Sequence, residues 1–393
     1  MKVLQIHNKY RFRGGEEAVV EWTTELLRSK GVDVRMVTRE SVGLDNNFIT
    51  KFRAFASSIY SLSAYSFIEQ LIRKDRPDVV HVHNLYPLFS PSVLSACRHA
   101  GIPVVMTCHN YRLLCPIGVA FRNGGICDAF CHHHEYRCVI NNCRGNLLES
   151  GAYAIRSAIA SRFKFFEKNV TIFIALTQIA KDYIAKGGIP KERIVVLPNS
   201  IPTNHFQSTE ADRGEYIAYA GRISAEKGIG VLLQAASITG LPLRIAGDSS
   251  SAKGLISSAP PNVKFVGFLS KEKLSEFYNS ASFLVLPSIC HETCGLVLLE
   301  AMQASLAIIA SRIGGITEIV DDGVTGLFFE PGNANDLASK MKQLCNDPEL
   351  CRRMGEAGRH KALTHYDEDS YYKKLMAIYE KAISNNKKRK NSR

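Results

Sequence analysis

Apolar residues come in short runs, each closed by a polar or glycine turn and followed by a stretch with helical spacing. Val3–His7 is the first run. The loop Lys9–Gly15 follows, then a helix from about Glu16 to Lys30, then Gly31 and a second strand over Val32–Val37. The alternation returns at Pro77–His83, with a helix over Ser92–His99, a turn at Gly101 and a strand over Pro103–Thr107. A second series begins after Glu215, with strand candidates Tyr216–Ala220, Leu243–Ala246, Val263–Val266, Phe283–Leu286 and Ala307–Ala310. Strand, helix and strand joined by short turns predict a parallel sheet with helices on both faces. Between the two series, Leu197–Pro202 (L-P-N-S-I-P) reads as a hinge. The predicted class is α/β, with two Rossmann-like doubly wound domains facing a cleft. Ligands in such sheets bind beyond the carboxyl ends of the strands, so the cleft is the expected site. The domains are predicted at 1–198, with a cysteine-rich loop over 108–143, and at 199–365. A C-terminal helix and basic tail over 366–393 are expected to cross back to the first domain.

The chain of 393 residues is long enough for two or three domains, and 46% hydrophobic with 22% charged residues is ordinary for a water-soluble protein. No run approaches the roughly 18 apolar residues of a membrane span. The N-terminal apolar run is too short for a secretion signal, which predicts a cytoplasmic location. The net charge of +12 changes the picture, because it is unevenly spread. Residues 1–200 hold 26 Lys and Arg against 16 Asp and Glu, and the remainder holds 23 against 21. The last 13 residues contribute six basic side chains, so the second half without them is net negative. A first half at +10 suggests an anionic surface or carrier as its partner. No zinc-finger spacing or RNA-binding signature accompanies the charge, and nucleic acid is not an expected partner.

Candidate chemistry concentrates in Pro287–Ala304, P-S-I-C-H-E-T-C-G-L-V-L-L-E-A-M-Q-A. It follows the strand Phe283–Leu286 and becomes a buried helix after Gly295. Thr293, Cys294 and Gly295 form the helix entry, whose free N–H groups suit a phosphate. Glu292 lies on the loop before it. Glu300 lies about a turn and a half inside, where a carboxylate suits the paired hydroxyls of a ribose. The loop Tyr219–Gly228, Y-A-G-R-I-S-A-E-K-G, places Arg222 and Lys227 at another strand end. Two fixed cations there can hold a diphosphate and stabilise it as it leaves. Taken alone, the glutamate pair fits an ordinary helix with a polar edge equally well, and the Arg222–Lys227 loop reads as a surface loop with ordinary solvated cations.

Together these motifs resemble the retaining nucleotide-sugar glycosyltransferases of family 4, which have the GT-B fold. The resemblance runs through Gly14-Gly15, T-C-H-N at 107–110, L-P-N-S at 197–200 and A-G-R-I-S-A-E-K-G at 220–228. It continues through P-S at 287–288, H-E-T-C-G-L at 291–296, E-A-M at 300–302 and G-G-I-T-E-I-V-D-D-G-V-T-G-L at 314–327. It implies that Arg222 and Lys227 bind the donor diphosphate and that the backbone of Thr293, Cys294, Gly295 and Leu296 cradles phosphate and sugar. Glu292 would contact the sugar hydroxyls, Glu300 the ribose, and His109 would reach the sugar from the first domain. Gly14 and Gly15 would let the backbone approach donor and acceptor closely. The string H-N-Y-R-L-L-C-P at 109–116 resembles the enzymes of bacterial surface polysaccharides, including lipopolysaccharide. The implied partners are a nucleoside diphosphate sugar and a lipid-linked saccharide acceptor. The Gly-Pro pair usual in the turn after Glu300 is absent, with Ser305 and Ala307 around Leu306, and Asn110 stands where the family often has Asp.

No catalytic metal is expected. Asp367-Glu368-Asp369 matches a metal-binding D-x-D string but opens the last helix, where acidic residues favour the helix dipole. Cys115, Cys127, Cys131, Cys138 and Cys143, with His132–His134 among them, sit in a polar loop. Their spacings fit no standard finger, and structural zinc, thiols that pack the loop, and disulfides stay open. His81 and His83 alternate on one strand face and read as buried structural groups. Phe48, Phe52, Phe55, Ile59 and Leu62 form one helical stripe flanked by Lys51 and Arg53. Ile155–Lys168 mixes Ile159, Phe163, Phe165 and Phe166 with Arg156, Arg162, Lys164 and Lys168. Both stretches suit ordinary core, or weak peripheral contact with an anionic membrane. The reading is a hexosyltransferase. A GT-B epimerase and a non-catalytic nucleotide-sugar-binding partner are its rivals.

Overall fold

The computed structural model describes residues 1–9, 14–40, 55–122, 124–127, 133–202, 206, 214–248 and 253–391. The chain forms two units. The first comprises Met1–Gly118, Ala129–Pro198 and Tyr371–Arg393, and the second Val119–Asp128 and Asn199–Ser370. The unit boundaries therefore differ from the sequence expectation at two places: Val119–Asp128 and residues 366–370 group with the second unit.

The first unit holds β1 (Lys2–Lys9), β2 (Asp33–Glu40), β3 (Val79–Val82) and β4 (Val104–Cys108). The short pair β5 (Phe121–Arg122) and β6 (Gly125–Ile126) belongs to the second unit, and β7 (Ile172–Ala175) and β8 (Ile194–Val196) complete the first sheet. That sheet runs β2-β1-β3-β4-β7-β8, with every pairing parallel. The second unit continues with β9 (Tyr216–Ala220), β10 (Leu243–Ala246), β11 (Val263–Gly267), β12 (Ala281–Leu286), β13 (Ala307–Ser311) and β14 (Gly326–Phe329). Its order is β11-β10-β9-β12-β13-β14, again all parallel. Both are doubly wound α/β sheets. Strand order reverses between β1 and β3 in one and between β9 and β12 in the other, and ligands bind at such switch points.

Nine of the strands lie where the apolar runs predict them. The runs over β7, β8 and β14 escape the pattern. The last of these starts on Gly326, whose missing Cβ would otherwise stand 2.2 Å from Ile308 O. The C-terminal helix Glu368–Asn391 completes the first unit's core. Tyr371, Leu375, Ile378, Tyr379 and Ala382 recur at helical spacing and are buried with Trp22, Leu26, Leu27 and Val34. Asp367 Oδ1 accepts the Ser370 N–H at 2.8 Å, so it caps that helix.

Two helices depart from expectation. The stripe Phe48–Leu62 falls partly outside the described residues, namely Phe48, Lys51, Phe52 and Arg53. Within them it is not one helix. Residues 55–59 are helical, but Ser61 is extended, accepts the Ala64 N–H at 3.2 Å and starts a separate helix, Leu62–Lys74. Leu62 is consequently the exposed first residue of a new element. The stretch Ile155–Lys168 is likewise broken. One helix, Leu147–Arg162, ends at Phe163, and another, Phe165–Asn169, begins after Lys164, which has a left-handed φ of 54°. Arg156 does not face solvent. It is buried, donates to Pro116 O at 3.2 Å and lies over the rings of Tyr86 and Tyr153 at 4.2 and 4.4 Å. Among the described residues, no helix is long and apolar enough to cross a membrane.

Candidate active site

At the second unit's switch point, β9 and β12 end side by side and their loops are locked together. Gly228 has φ 71°, and a Cβ there would lie 1.7 Å from Pro287 O, so only glycine lets the β9 loop close on the exit of β12. Ile289 N–H donates to Glu226 O at 3.0 Å across the same contact. The result brings Lys227 against Glu292. Lys227 Nζ pairs with Glu292 Oε1, and Ser288 Oγ donates to the same oxygen at 2.6 Å. Only 18% of the Lys227 side chain and 12% of the Glu292 side chain are exposed. Burial opposes charge on Glu292, yet Lys227 and Ser288 override it and hold the carboxyl below its ordinary range. Burial opposes charge on Lys227 too, and Glu292 outweighs it, raising that pKa.

Arg222 differs. Its side chain is 62% exposed and reaches Glu226 at 3.4 Å, while Tyr219 Oη donates to Arg222 O at 2.7 Å and fixes the loop backbone. Gly315 N–H donates to Glu292 O at 2.8 Å and thereby holds the Glu292 backbone. Thr293 is buried beside it. The helix Leu296–Gln303 then starts at Gly295, which brings no side-chain cap, so an anion can serve its leading N–H groups. Burial pushes the Cys294 thiol up to about 12, which leaves it protonated and not nucleophilic. Glu300 accepts the Tyr278 hydroxyl at Oε2, 2.8 Å away, and burial pushes its carboxyl up to about 7. The second unit thus brings Arg222, Lys227, Glu292, Thr293, Cys294, Gly295, Leu296 and Glu300 to one end of its sheet.

The first unit's switch point carries histidines. His109 follows β4, and its Nε2 lies 2.9 Å from Nδ1 of His83, with the rings stacked 5.2 Å apart. His83 in turn meets His81 at 4.2 Å, and His81 bonds to Tyr379 and Thr107, both at 2.8 Å. Burial pushes His81 and His109 down to about 3 and His83 well below its usual value, so all three are neutral at pH 7. His7, on β1, lies 3.9 Å from both Glu16 and Glu17. Gly14 and Gly15 start the helix Gly15–Ser29, where Gly14 N–H donates to Glu17 Oε2 at 2.9 Å. Gly14 has φ −131°, a conformation open to any residue, so its glycine is not there for backbone freedom.

Sequence reasoning missed Ser288, Tyr278, His7, Glu16 and Glu17. Ser288 had a signal, as part of the P-S string, and Glu16 and Glu17 follow directly on Gly14-Gly15. Tyr278 had none, since 22 residues separate it from Glu300. Of the cysteine set, Cys115, Cys127 and Cys138 are buried and Cys143 half-buried, while Cys131 lies outside the described residues, as does His132. Among the described residues no three metal-binding side chains converge.

Two family descriptions match the chain nearly end to end: Glycosyltransferase Family 4 over residues 12–205 and Glycosyl transferases group 1 over residues 200–361. An uncharacterized glycosyltransferase of Methanocaldococcus jannaschii is 25% identical over 372 residues, covering 91% of this chain and 92% of its own. Among solved structures, sucrose-phosphate synthase from Thermosynechococcus elongatus matches with TM-score 0.74 at 18% identity, covering 98% of this chain and all of that one. Anabaena HepE in complex with UDP-glucose matches with TM-score 0.69 at 16% identity, covering 97% of this chain and all of its own.

Proposed function

Since the chain is a glycosyltransferase of the GT-B fold, we propose that it is a retaining hexosyltransferase acting on a nucleoside diphosphate sugar. The observation that carries the reading is the buried Lys227–Glu292–Ser288 cluster beside the helix entry at Gly295. In this reading Arg222, Lys227 and the helix N-terminus take the diphosphate, whose negative charge grows as the sugar–oxygen bond breaks. Glu292, kept ionised, accepts hydrogen bonds from the donor sugar and stabilises its oxocarbenium-like charge. Glu300 accepts from the ribose hydroxyls. Neutral His109 donates one hydrogen bond to the sugar. No carboxylate is assigned as nucleophile, so the acceptor hydroxyl attacks the anomeric carbon from the face the diphosphate leaves, and the leaving phosphate takes the hydroxyl's proton. Neither a metal nor another cofactor takes part in that step. Binding of UDP-glucose by the Anabaena neighbour supports a donor of this class for the present chain.

The acceptor in this reading is a lipid-linked saccharide of cell-surface polysaccharide synthesis. It is met by a cytoplasmic enzyme resting weakly on the inner face of the membrane through its basic first unit. A panel of nucleotide sugars, assayed for nucleoside diphosphate release with and without acceptor, tests the core of the reading. One donor should be consumed, Glu292→Gln should abolish its consumption, and EDTA should not. The product anomer, read by NMR, should keep the donor's configuration. Consumption that survives Glu292→Gln, or that stops with EDTA and returns with Mg²⁺, sinks the assignment. One equivalent of zinc in the purified protein would assign the cysteine loop a structural metal.

A further inference from the structure

A pocket of about 120 Å³ lies within the first unit, and none of the residues assigned to the donor lines it. Its lining carries three cations, Arg112, Arg156 and Lys164, against one carboxylate, Glu167, with Tyr86 and Phe166 as an aromatic wall. A smaller pocket of about 30 Å³ shares Tyr86, Arg112 and Phe166 with it and is lined also by His109. Two of the cations are held in place. Arg156 lies between Tyr86 and Tyr153 as described, and Arg112 donates to Asn84 Oδ1 at 3.1 Å. Glu16 also lies in electrostatic reach of Arg112. The third, Lys164, pairs with Glu167 at 3.4 Å and is the left-handed residue at the break between two helices, a conformation that non-glycine residues other than Asn and Asp seldom adopt. The same break leaves Phe163 56% exposed, its ring stacked on Phe165 at 5.7 Å. Fixed cations inside a pocket, with an exposed apolar residue adjoining one of them, match a molecule with an anionic head and a hydrocarbon tail.

The geometry points to a site for the phosphate or diphosphate of a lipid-linked molecule, its head on Arg112, Arg156 and Lys164 and its chain leaving past Phe163. The inference rests on the transferase reading for its purpose, because it places the acceptor's anionic linker in the pocket that adjoins His109. Free phosphate shares the head-group chemistry, and the probes separate the two. Farnesyl diphosphate, inorganic pyrophosphate and farnesol are titrated calorimetrically into the full-length protein. Farnesyl diphosphate should bind, pyrophosphate should bind more weakly, and farnesol should not bind measurably. Lys164→Asn removes the charge with a residue that tolerates the left-handed backbone, and should weaken both anions about fivefold, the loss of one partly exposed charge contact. Arg162→Gln, which changes an exposed neighbour outside the pocket, should leave the titrations unaltered.

Parental affinity in Lys164→Asn overturns the site. So does a loss that follows Arg222→Ala instead, since the probe would then sit in the second unit. Equal affinity for pyrophosphate and farnesyl diphosphate overturns the lipid. Acceptor-free nucleoside diphosphate release by the parent protein reports on the transferase reading independently. If it proceeds while the probes ignore Lys164, only the pocket assignment falls.

Discussion

In the second unit a buried lysine and a buried glutamate meet at the exits of two adjacent strands, β9 and β12. In the first unit, the exits of β3 and β4 carry the histidines, His83 and His109, backed by His81. Both arrangements put ionisable groups out of water at or beside a switch point, and they solve the resulting electrostatic problem in opposite ways. Lys227 and Glu292 remain charged because each compensates the other. At the histidines burial outweighs the neighbouring charges, the pull of Glu17 on His109 included, and empties them of their protons. In the proposed reaction one unit would offer fixed charge to a ligand that gains charge, and the other neutral hydrogen-bonding rings. A glycosyl transfer needs both, since the leaving diphosphate is anionic and the sugar hydroxyls are not.

Breaking the ion pair gives the largest effect. Lys227→Ala removes the proposed phosphate contact and also leaves Glu292 buried without its cation. Turnover should fall on the order of 10²–10³-fold. Stability should fall by about 3 kcal/mol, the cost of leaving one member of a buried pair behind. The double variant Lys227→Ala/Glu292→Gln should regain most of the stability and none of the turnover. If the single variant melts like the parent, the pair is not held out of water as the geometry requires.

Acid attacks the other arrangement. His81 and His109 have folded pKa values near 3 against about 6.5 in an unfolded chain, so the unfolded state binds more protons between those values. The stability they provide is full above pH 6.5 and is lost as pH falls toward 3, by on the order of 1 kcal/mol per pH unit for each histidine. Trp22 is the chain's single tryptophan and packs on Tyr371 in the first unit, 5.0 Å between ring centres. Its fluorescence should report unfolding of the first unit between pH 6 and 4, before far-ultraviolet circular dichroism shows loss of the second. A tryptophan transition that waits until pH 3 would mean that the histidines are already charged in the folded protein.

Arg222 sharpens the comparison from the exposed side. Its guanidinium is mostly in water, so Arg222→Ala should leave the melting temperature unchanged, as for other exposed pairs. Turnover should nevertheless drop by about tenfold or more, because the contact proposed for Arg222 is with charge that develops in the transition state. Equal loss of turnover and of stability would show that Arg222 supports the fold and not the ligand.

Arg222, Lys227 and Glu292 stand out in sequence because each lies on a loop that follows an apolar strand run, where α/β sheets place their ligands, and Glu300 because it lies in the helix that comes next. What stayed hidden is how they pair. Nothing along the chain says that residue 227 touches residue 292, or that the Tyr278 hydroxyl finds Glu300. Those contacts depend on the order of strands in the sheet. The same limit misled the reading of Ile155–Lys168. Its basic and aromatic composition is that of a surface helix, yet Arg156 is drawn inward by Tyr86 and Pro116, which are 70 and 40 residues away. Ser61 is the opposite case, since a serine ahead of an apolar run is a helix-start signal that the longer Phe48–Leu62 periodicity masked.

Glu300 is the exception inside the charged unit, and it gives the smallest and most diagnostic effect. Burial raises its carboxyl to about 7, only partly opposed by the Tyr278 hydroxyl. In an unfolded chain the same group titrates near 4.3, so the folded state binds the extra proton between those values. The associated stability is present below pH 4 and is lost as pH rises through 7, the reverse of the histidines. Because the side chain keeps partial contact with water, the change should be about 1 kcal/mol or less. Relative to Glu300→Gln, the parent should therefore lose a little stability between pH 5 and 7.5. The functional consequence has the other sign. If Glu300 accepts hydrogen bonds from paired hydroxyls, the ionised form is the better acceptor. Donor affinity of the parent should rise from pH 6 to 8, whereas Glu300→Gln should bind more weakly and without that slope. A parent whose donor affinity is flat across the window while its stability shifts would leave Glu300 as a buried partner of Tyr278 and nothing more.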